Sequence, residues 1–355
     1  MNSSLINAAA TVLIVCLVGW LLYLGRSLLL PFVIALIVWY MIDTLARSIE
    51  SIKISHRGLP RWLTLLLALT AIGITLNMIV DLMAGNLTAL ASDAPAYQAR
   101  LEEILASLTE KLGLEHEINI REMLPDNILT QLATGMASAL TTIAGSATLV
   151  FIYVIFLLFE QSTFDKKLRA LFSTPERADV AFAMRQEIAG RVRHYVGIKT
   201  AVSILTGVLT GVCLTVAGLP YAPLFGFIAF MLNYIPTIGS MIGVLFPAAL
   251  ALVFYDTLGP FFIITIFLGL IQFAIGNLLE PRLMGTSLNI SPLIIMLSLA
   301  FWGAIWGVTG MVLCVPLTVI IMIICAQFPG TRAIAILLSE DGNLGDPLAA
   351  DNHQA

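Results

Sequence analysis

Apolar residues fill most of this chain in blocks long enough to cross a bilayer, and the polar positions between them are few. Leu5 to Leu24 is an uncharged run of 20 residues, the length needed to cross a hydrocarbon core of about 30 Å at about 1.5 Å per residue. Ser27 to Ile42 follows after only Gly25 and Arg26, so the pair predicts a tight helical hairpin with Trp39 and Tyr40 as interfacial anchors. Asp43 to Arg61 reads as a polar loop, and Trp62 to Met83 as the next crossing, with Asp81 near its far end. From Gly85 to Ala137 the pattern changes to a soluble excursion. There Tyr97, Leu101, Leu105, Leu108 and Leu112 recur at helical spacing, with Gly113 as a C-cap. A second helix is predicted from after Asp126 through Phe159, and at about 50 Å it must project beyond the membrane surface. Thr174-Pro175-Glu176 supplies an N-cap, a proline at the first helical position and an acid in the first turn. Val180, Met184, Ile188, Val192 and Val196 then form an apolar stripe suited to a helix lying on the membrane or docked on a neighbour.

Beyond Lys199 the pattern becomes almost uniformly apolar: from 200 to 331 only Asp256, Glu280 and Arg282 carry charge. Thr200 to Ala217 is a crossing whose Gly207 and Gly211 form a GxxxG pair, read first as packing within one chain. Ala222 to Ile238 and Met241 to Thr257 are two 17-residue pieces joined at a Pro236/Gly239 break. Pro260 to Leu279 is a full-length crossing, and Ile290 to Ala326 is too long for one span and is interrupted at Trp302-Gly303-Ala304-Ile305-Trp306-Gly307. The broken pieces are either short complete hairpins or re-entrant ones. The expected fold is therefore an all-α polytopic membrane protein of about eight membrane segments, with broken or re-entrant helical hairpins and a small extracytoplasmic helical excursion. Its expected organisation is membrane helices over 1–83, the excursion over 84–137 and a membrane helix over 138–159. A cytoplasmic amphipathic segment over 160–199, a transport core over 200–327 and an acidic tail over 328–355 complete it.

Composition supports the membrane class and charge sets its orientation. With 59% hydrophobic and 11% charged residues the chain lies far from the soluble norm of about 45–50% apolar and about 25% charged. The segment 43–61 holds four basic and two acidic residues, 85–137 three and eight, and 160–199 eight and five. By the positive-inside rule the first and third are cytoplasmic, the second is outside, and both termini are inside. The net charge of −4 names no partner, and none of nucleic-acid type is expected. Cys16, Cys213, Cys314 and Cys325 all sit in apolar runs without metal-type spacing, which reads as small buried hydrophobes. The first 24 residues lack a basic n-region and a small-residue cleavage site, so they read as a retained span.

No Walker A or HExxH sequence is present, and the four histidines fall in different predicted compartments. No cofactor or metal is expected, and transport should be secondary or passive. At the first break Pro236 removes a backbone donor, and Gly239 permits a tight turn. Irregular backbone at membrane depth is tolerated only when buried in protein or lining a polar cavity. Asn233 and Thr237 would then hydrogen-bond a substrate or satisfy the freed carbonyls of a hairpin tip. Gln272 and Asn277 lie at unusual depth in the crossing that ends at Glu280-Pro281-Arg282. There Pro281 is expected to break the helix, so that Glu280 and Arg282 meet or find separate partners. Lys199 marks the start of the charge-poor stretch. Asp256 and Asp81 are candidate protonatable groups near the outer face, with a solvated interface as the plain alternative. Trp302 and Trp306 read as an aromatic wall beside a pathway or as belt and packing residues. No nucleophile and base stand at a plausible spacing, so an enzyme is not expected.

Several of these stretches resemble a known family. Tyr195-Val196-Gly197-Ile198-Lys199-Thr200, Leu232-Asn233-Tyr234-Ile235-Pro236-Thr237-Ile238-Gly239-Ser240 and Gly276-Asn277-Leu278-Leu279-Glu280-Pro281-Arg282-Leu283-Met284-Gly285 are similar to motifs of the AI-2E transporter family. So are Phe301-Trp302-Gly303 with Gly307, Gly310 and Val315-Pro316-Leu317. The resemblance implies a bacterial inner-membrane exporter of a small polar, furanone-like signal involved in quorum sensing, with sodium (or lithium)/proton antiport proposed for other members. It also implies a pentameric homo-oligomer and an elevator-like mechanism in which the re-entrant pieces carry substrate. A rival from another class is a non-transporting assembly protein that recruits partners through the outer helices and the 160–199 stripe.

Overall fold

The computed structural model describes residues 3–51, 60–112, 128–172, 174–285 and 288–344, and among them every regular element is helical. The helices are α1 (Ser3–Leu24), α2 (Arg26–Ser51), α3 (Arg61–Leu112), α4 (Ile128–Leu171), α5 (Pro175–Ala217) and α6 (Ala222–Leu232). After them come α7 (Ile238–Phe254), α8 (Leu258–Phe273), a π-helical segment (Ala274–Leu279), α9 (Glu280–Met284), α10 (Pro292–Gln327) and α11 (Arg332–Leu338). In hydrocarbon each backbone N–H and C=O must be satisfied within its own segment, which is what helices do. Among the described residues five stretches are long and apolar enough to cross a membrane: Arg26–Ala46, Arg61–Ile104, Ala178–Ala217, Leu258–Met284 and Pro292–Gln327.

Helices run past the points where hydropathy changes. Asp43 is not in a loop: α2 continues to Ser51, and the Asp43 carboxylate is buried and accepts from Arg193 at 3.4 Å. No helix end accompanies the expected boundary at Gly85: α3 runs unbroken for 52 residues, about 78 Å, through Pro95 and Tyr97. The proposed Gly113 cap lies outside the described residues. Likewise α4 continues beyond Phe159 to Leu171. The start read at Thr174-Pro175 is where α5 begins, but its stripe does not form a separate surface helix: α5 carries it straight into the Thr200–Ala217 crossing, with Val192 and Val196 buried and Val180 exposed. The physical reason is common to all four. A polar stretch with good helix formers ends the contact with lipid but not the hydrogen-bonded ladder.

The chain gathers into two compact units, Met1–Leu59 with Ala147–Ile198 and Met284–Ala355, and Pro60–Ser146 with Lys199–Leu283. In the first, α10 is not one straight helix. Gly307 has φ 63° and ψ −144°, and a Cβ on Gly310 would lie 2.0 Å from the Trp302 carbonyl oxygen. The Ser298 hydroxyl donates to Cys314 O at 3.1 Å. Pairs 302/310 and 298/314 nest about one midpoint, so the two arms fold back on each other at Gly307. At the fold the Trp302 and Trp306 rings meet tilted at 45° with centroids 5.1 Å apart, and the Trp306 indole N–H donates to Leu22 O at 3.1 Å. At the open end Ser291 N–H donates to Leu338 O at 3.1 Å.

The second unit is built on the α6–α7 hairpin. At 11 residues α6 is about 16 Å long, about half of what a crossing requires, so this hairpin enters and returns. The GxxxG pair is a seam within the chain: a Cβ on Gly207 would sit 2.7 Å from Gly226 O, and one on Gly226 2.8 Å from Gly207 O. Such backbone contact is how helices gain dispersion where lipid removes the hydrophobic drive. At the open end Leu214, Ala222, Phe225, Leu250, Ala251, Ile264 and Leu268 form a core. A smaller cluster of Met83, Leu87 and Leu224 joins α3 to α6, and the Tyr221 hydroxyl donates to the Asp93 carboxylate.

Candidate functional site: the tip of a re-entrant hairpin

The tip follows from local chemistry. Pro236 has no N–H and disfavours helix at Ile235, so α6 stops at Leu232 and the chain turns through short-range bonds. Tyr234 N–H donates to Met231 O at 3.3 Å, Ile235 N–H to Leu232 O at 2.8 Å, and Gly239 N–H to Ile235 O at 3.2 Å. A Cβ on Gly239 would lie 1.7 Å from Leu232 O, which is why glycine stands there. Thr237 adopts φ 62°, ψ −54°, a conformation costing a β-branched residue about 1–3 kcal/mol.

Two side chains tie this turn to α5. The Asn233 amide, 7% exposed, donates to Ser203 Oγ at 2.9 Å, and the Tyr234 hydroxyl donates to Thr200 Oγ1 at 2.8 Å. At the hairpin's other end the Tyr255 hydroxyl donates to Ala217 O at 2.6 Å. Ala217 and Ser203 are 14 residues apart on α5, so the tip penetrates about 21 Å along it. One turn further, Lys199 is buried and donates to the Glu280 carboxylate.

The expected break at Pro281 does not occur. The helix runs on from α8 to Met284, and the strain of a proline lacking its N–H is taken up just before it, in the π segment. There Glu280 N–H donates to Ile275 O, one residue further back than in an α-helix. Glu280 therefore pairs with Lys199, 81 residues away, while Arg282 is exposed.

The remaining candidates separate. Gln272 is buried beside Gly243. Asn277 is exposed and turned back to Phe273 O at 3.4 Å. Pro236 is half-buried and Thr237 exposed at the tip. Asp256 sits at the α7–α8 turn, 95% exposed, 2.9 Å from the Arg100 guanidinium, and Asp81 is exposed on α3. Trp302 and Trp306 belong to the other compact unit, where both are buried. Ser203, Thr206 and Thr210 are buried polar residues that sequence reading passed over. Their spacing from Lys199, at steps of four, three and four, was the available signal.

The tip thus offers neutral hydrogen-bonding groups beside one internally neutralised ion pair. Among the described residues no three His, Cys, Asp or Glu gather in a way that could hold a metal ion. This chemistry suits binding of a small polar molecule.

The model of the AI-2E family transporter matches residues 11–330. The chain is 30% identical over 320 residues to the AI-2 transport protein TqsA of Escherichia coli K12, covering 89% of this chain and 90% of that one. It is 29% identical over 351 residues to a Haemophilus influenzae protein whose name proposes transport and no substrate, covering 96% and 97%. The Bacillus subtilis protein YrrI, likewise named for proposed transport, is 25% identical over 316 residues, covering 85% and 87%.

Proposed function

The chain belongs to the AI-2E transporter family and is a multi-pass bacterial membrane transporter, and from that premise we propose that it is a secondary exporter of a small, neutral, polar signal of the autoinducer-2 type. The observation that carries this reading is the hairpin tip, irregular backbone held at membrane depth by Asn233–Ser203 and Tyr234–Thr200. Such backbone, buried in protein, is where transporters expose polar groups to a substrate. The substrate path uses Asn233, Pro236, Thr237, Gly239 and Gln272. Asn277, Trp302 and Trp306 are assigned to it on motif position alone. The relative named for AI-2 transport supplies the substrate type. In the same reading the protein lies in the inner membrane with both termini cytoplasmic and works as a homo-oligomer.

The test is export of a hydroxylated furanone by inverted membrane vesicles carrying the wild type, Asn233→Leu or Tyr234→Phe. Asn233→Leu should lower the rate at least tenfold. Wild-type rates at equal expression would sink the site.

One observation favours a second reading, sodium or lithium/proton antiport: the half-buried Glu280 carboxylate pairs with the buried Lys199 one turn past the tip. Asp256, solvated beside Arg100, is the weaker candidate. Antiport predicts sodium-dependent dequenching of a pH dye in vesicles, abolished by Glu280→Gln; a flat trace removes it.

A further inference from the structure

Threonines in membrane helices ordinarily return their hydroxyl to the carbonyl one turn earlier, because lipid offers no other acceptor. Thr206, Thr215, Thr265 and Thr318 each do so, at 2.7–2.9 Å. Thr210 does not. It is 1% exposed, and its Oγ1 has no hydrogen-bond partner among the described residues. A buried hydroxyl that forgoes an available bond carries a desolvation cost that some other interaction must offset.

Its position says what that interaction is for. Lys199, Ser203, Thr206 and Thr210 share one face of α5 and are 4%, 0%, 0% and 1% exposed. The face starts beside the hairpin tip, where Asn233 holds Ser203, and reaches Thr210 about 10 Å back from it, midway to Ala217 at the open end. The only charge on it, Lys199, is neutralised by Glu280. On α8, Gln272 is a further buried polar side chain. A hydroxyl both donates and accepts, so its natural complement is another hydroxyl.

We propose that Thr210 is a specificity-determining residue of the transport site, and that its hydroxyl selects a neutral, polyhydroxylated substrate over analogues lacking a hydroxyl. This rests on the hairpin-tip transport reading. A site built to bond a substrate hydroxyl rejects the analogue without it, because its own polar group is then left unpaired.

The test uses the full chain in proteoliposomes, with a labelled furanone carrying adjacent hydroxyls and its analogue lacking one as probes. The wild type should carry the hydroxylated probe in preference. Thr210→Val should weaken its apparent affinity about tenfold, equalise the two probes, and leave the melting temperature no lower than wild type, since no protein bond is removed. Thr210→Ser should keep the preference. Thr215→Val, whose hydroxyl bonds only Gly211 O on an exposed face, should change neither. A Thr210→Val protein with wild-type rates and preference overturns the proposal, as does one that melts lower, which would reveal a protein partner for the hydroxyl. Loss of transport in Asn233→Leu alongside an unaffected Thr210→Val overturns this assignment and leaves the tip reading standing. A wild type that carries neither probe overturns both.

Discussion

A single methyl group is too large for Gly239, where a Cβ would meet the Leu232 carbonyl at 1.7 Å, a backbone atom that cannot step aside. Gly239→Ala should therefore deplete the folded fraction on size-exclusion in detergent far more than a surface glycine would. Gly73→Ala on α3, where nothing lies within 4 Å, is the comparison and should leave it unchanged. The Lys199–Glu280 pair makes a different residue-scale demand. Removing Glu280 strands the buried Lys199 ammonium at a cost of about 3–5 kcal/mol, whereas replacing both by apolar side chains is often close to neutral. Thermal unfolding should show Glu280→Ala strongly destabilised and a Lys199→Met/Glu280→Leu double variant recovering most of the loss. Tyr221 adds a pH dependence. Burial first, and then the bond to Asp93, raise its phenol above the ordinary value of 10.0. The folded state thus holds this proton more tightly than the unfolded chain, so its contribution is complete below pH 10.0 and is lost as pH rises beyond it. The fall in melting temperature between about pH 9 and 11 should be shallower in Tyr221→Phe, which has no proton to lose.

At the scale of elements, the α5–α6 seam decides whether the hairpin seats at all. Gly207 and Gly226 let two backbones meet, so Gly226→Leu should abolish transport by separating the arms, with the protein still inserted in the membrane. The check is export together with an Asn233→Cys/Ser203→Cys cross-link in a background with the native cysteines replaced. Cross-linking undiminished by Gly226→Leu would show the seam to be dispensable. The rule for proline in α-helices predicts a break at Pro281, but a π turn just upstream accommodates the missing donor and keeps the helix whole. The helices α2, α3 and α4 run past the ends of their apolar runs because hydropathy marks the edge of the lipid, not the end of a helix.

For the whole molecule, the ties within the second unit fix what must share a membrane face. Asp93 and Asp256 both lie at the open end of the α6–α7 hairpin, whereas Arg282 lies in α9, beyond the far end of α8 and the π segment. In a background with the native cysteines replaced, Asp93→Cys and Asp256→Cys should react with an impermeant maleimide from outside, and Arg282→Cys only after permeabilisation. Labelling of all three from one side would contradict the crossing from α8 to Met284; a clean reversal of sides would overturn only the orientation inferred from the basic loops.

What the sequence determined by itself was the solvent each stretch would meet and where the backbone had to turn. Apolar length and the scarcity of charge dictate membrane helices, and the Pro236/Gly239 and Gly307 interruptions are local, since a missing N–H and a missing Cβ act within a few bonds of themselves. Only the tertiary structure decided which polar groups would meet. Glu280 is two residues from Arg282 and 81 from Lys199, and it is the distant one that it pairs with, because helix packing and not chain distance sets which side chains share a dry interior. For the same reason Thr210 could not be told in sequence from the threonines around it. Whether a hydroxyl turns back to its own helix or is left to face the interior is decided by its neighbours in space.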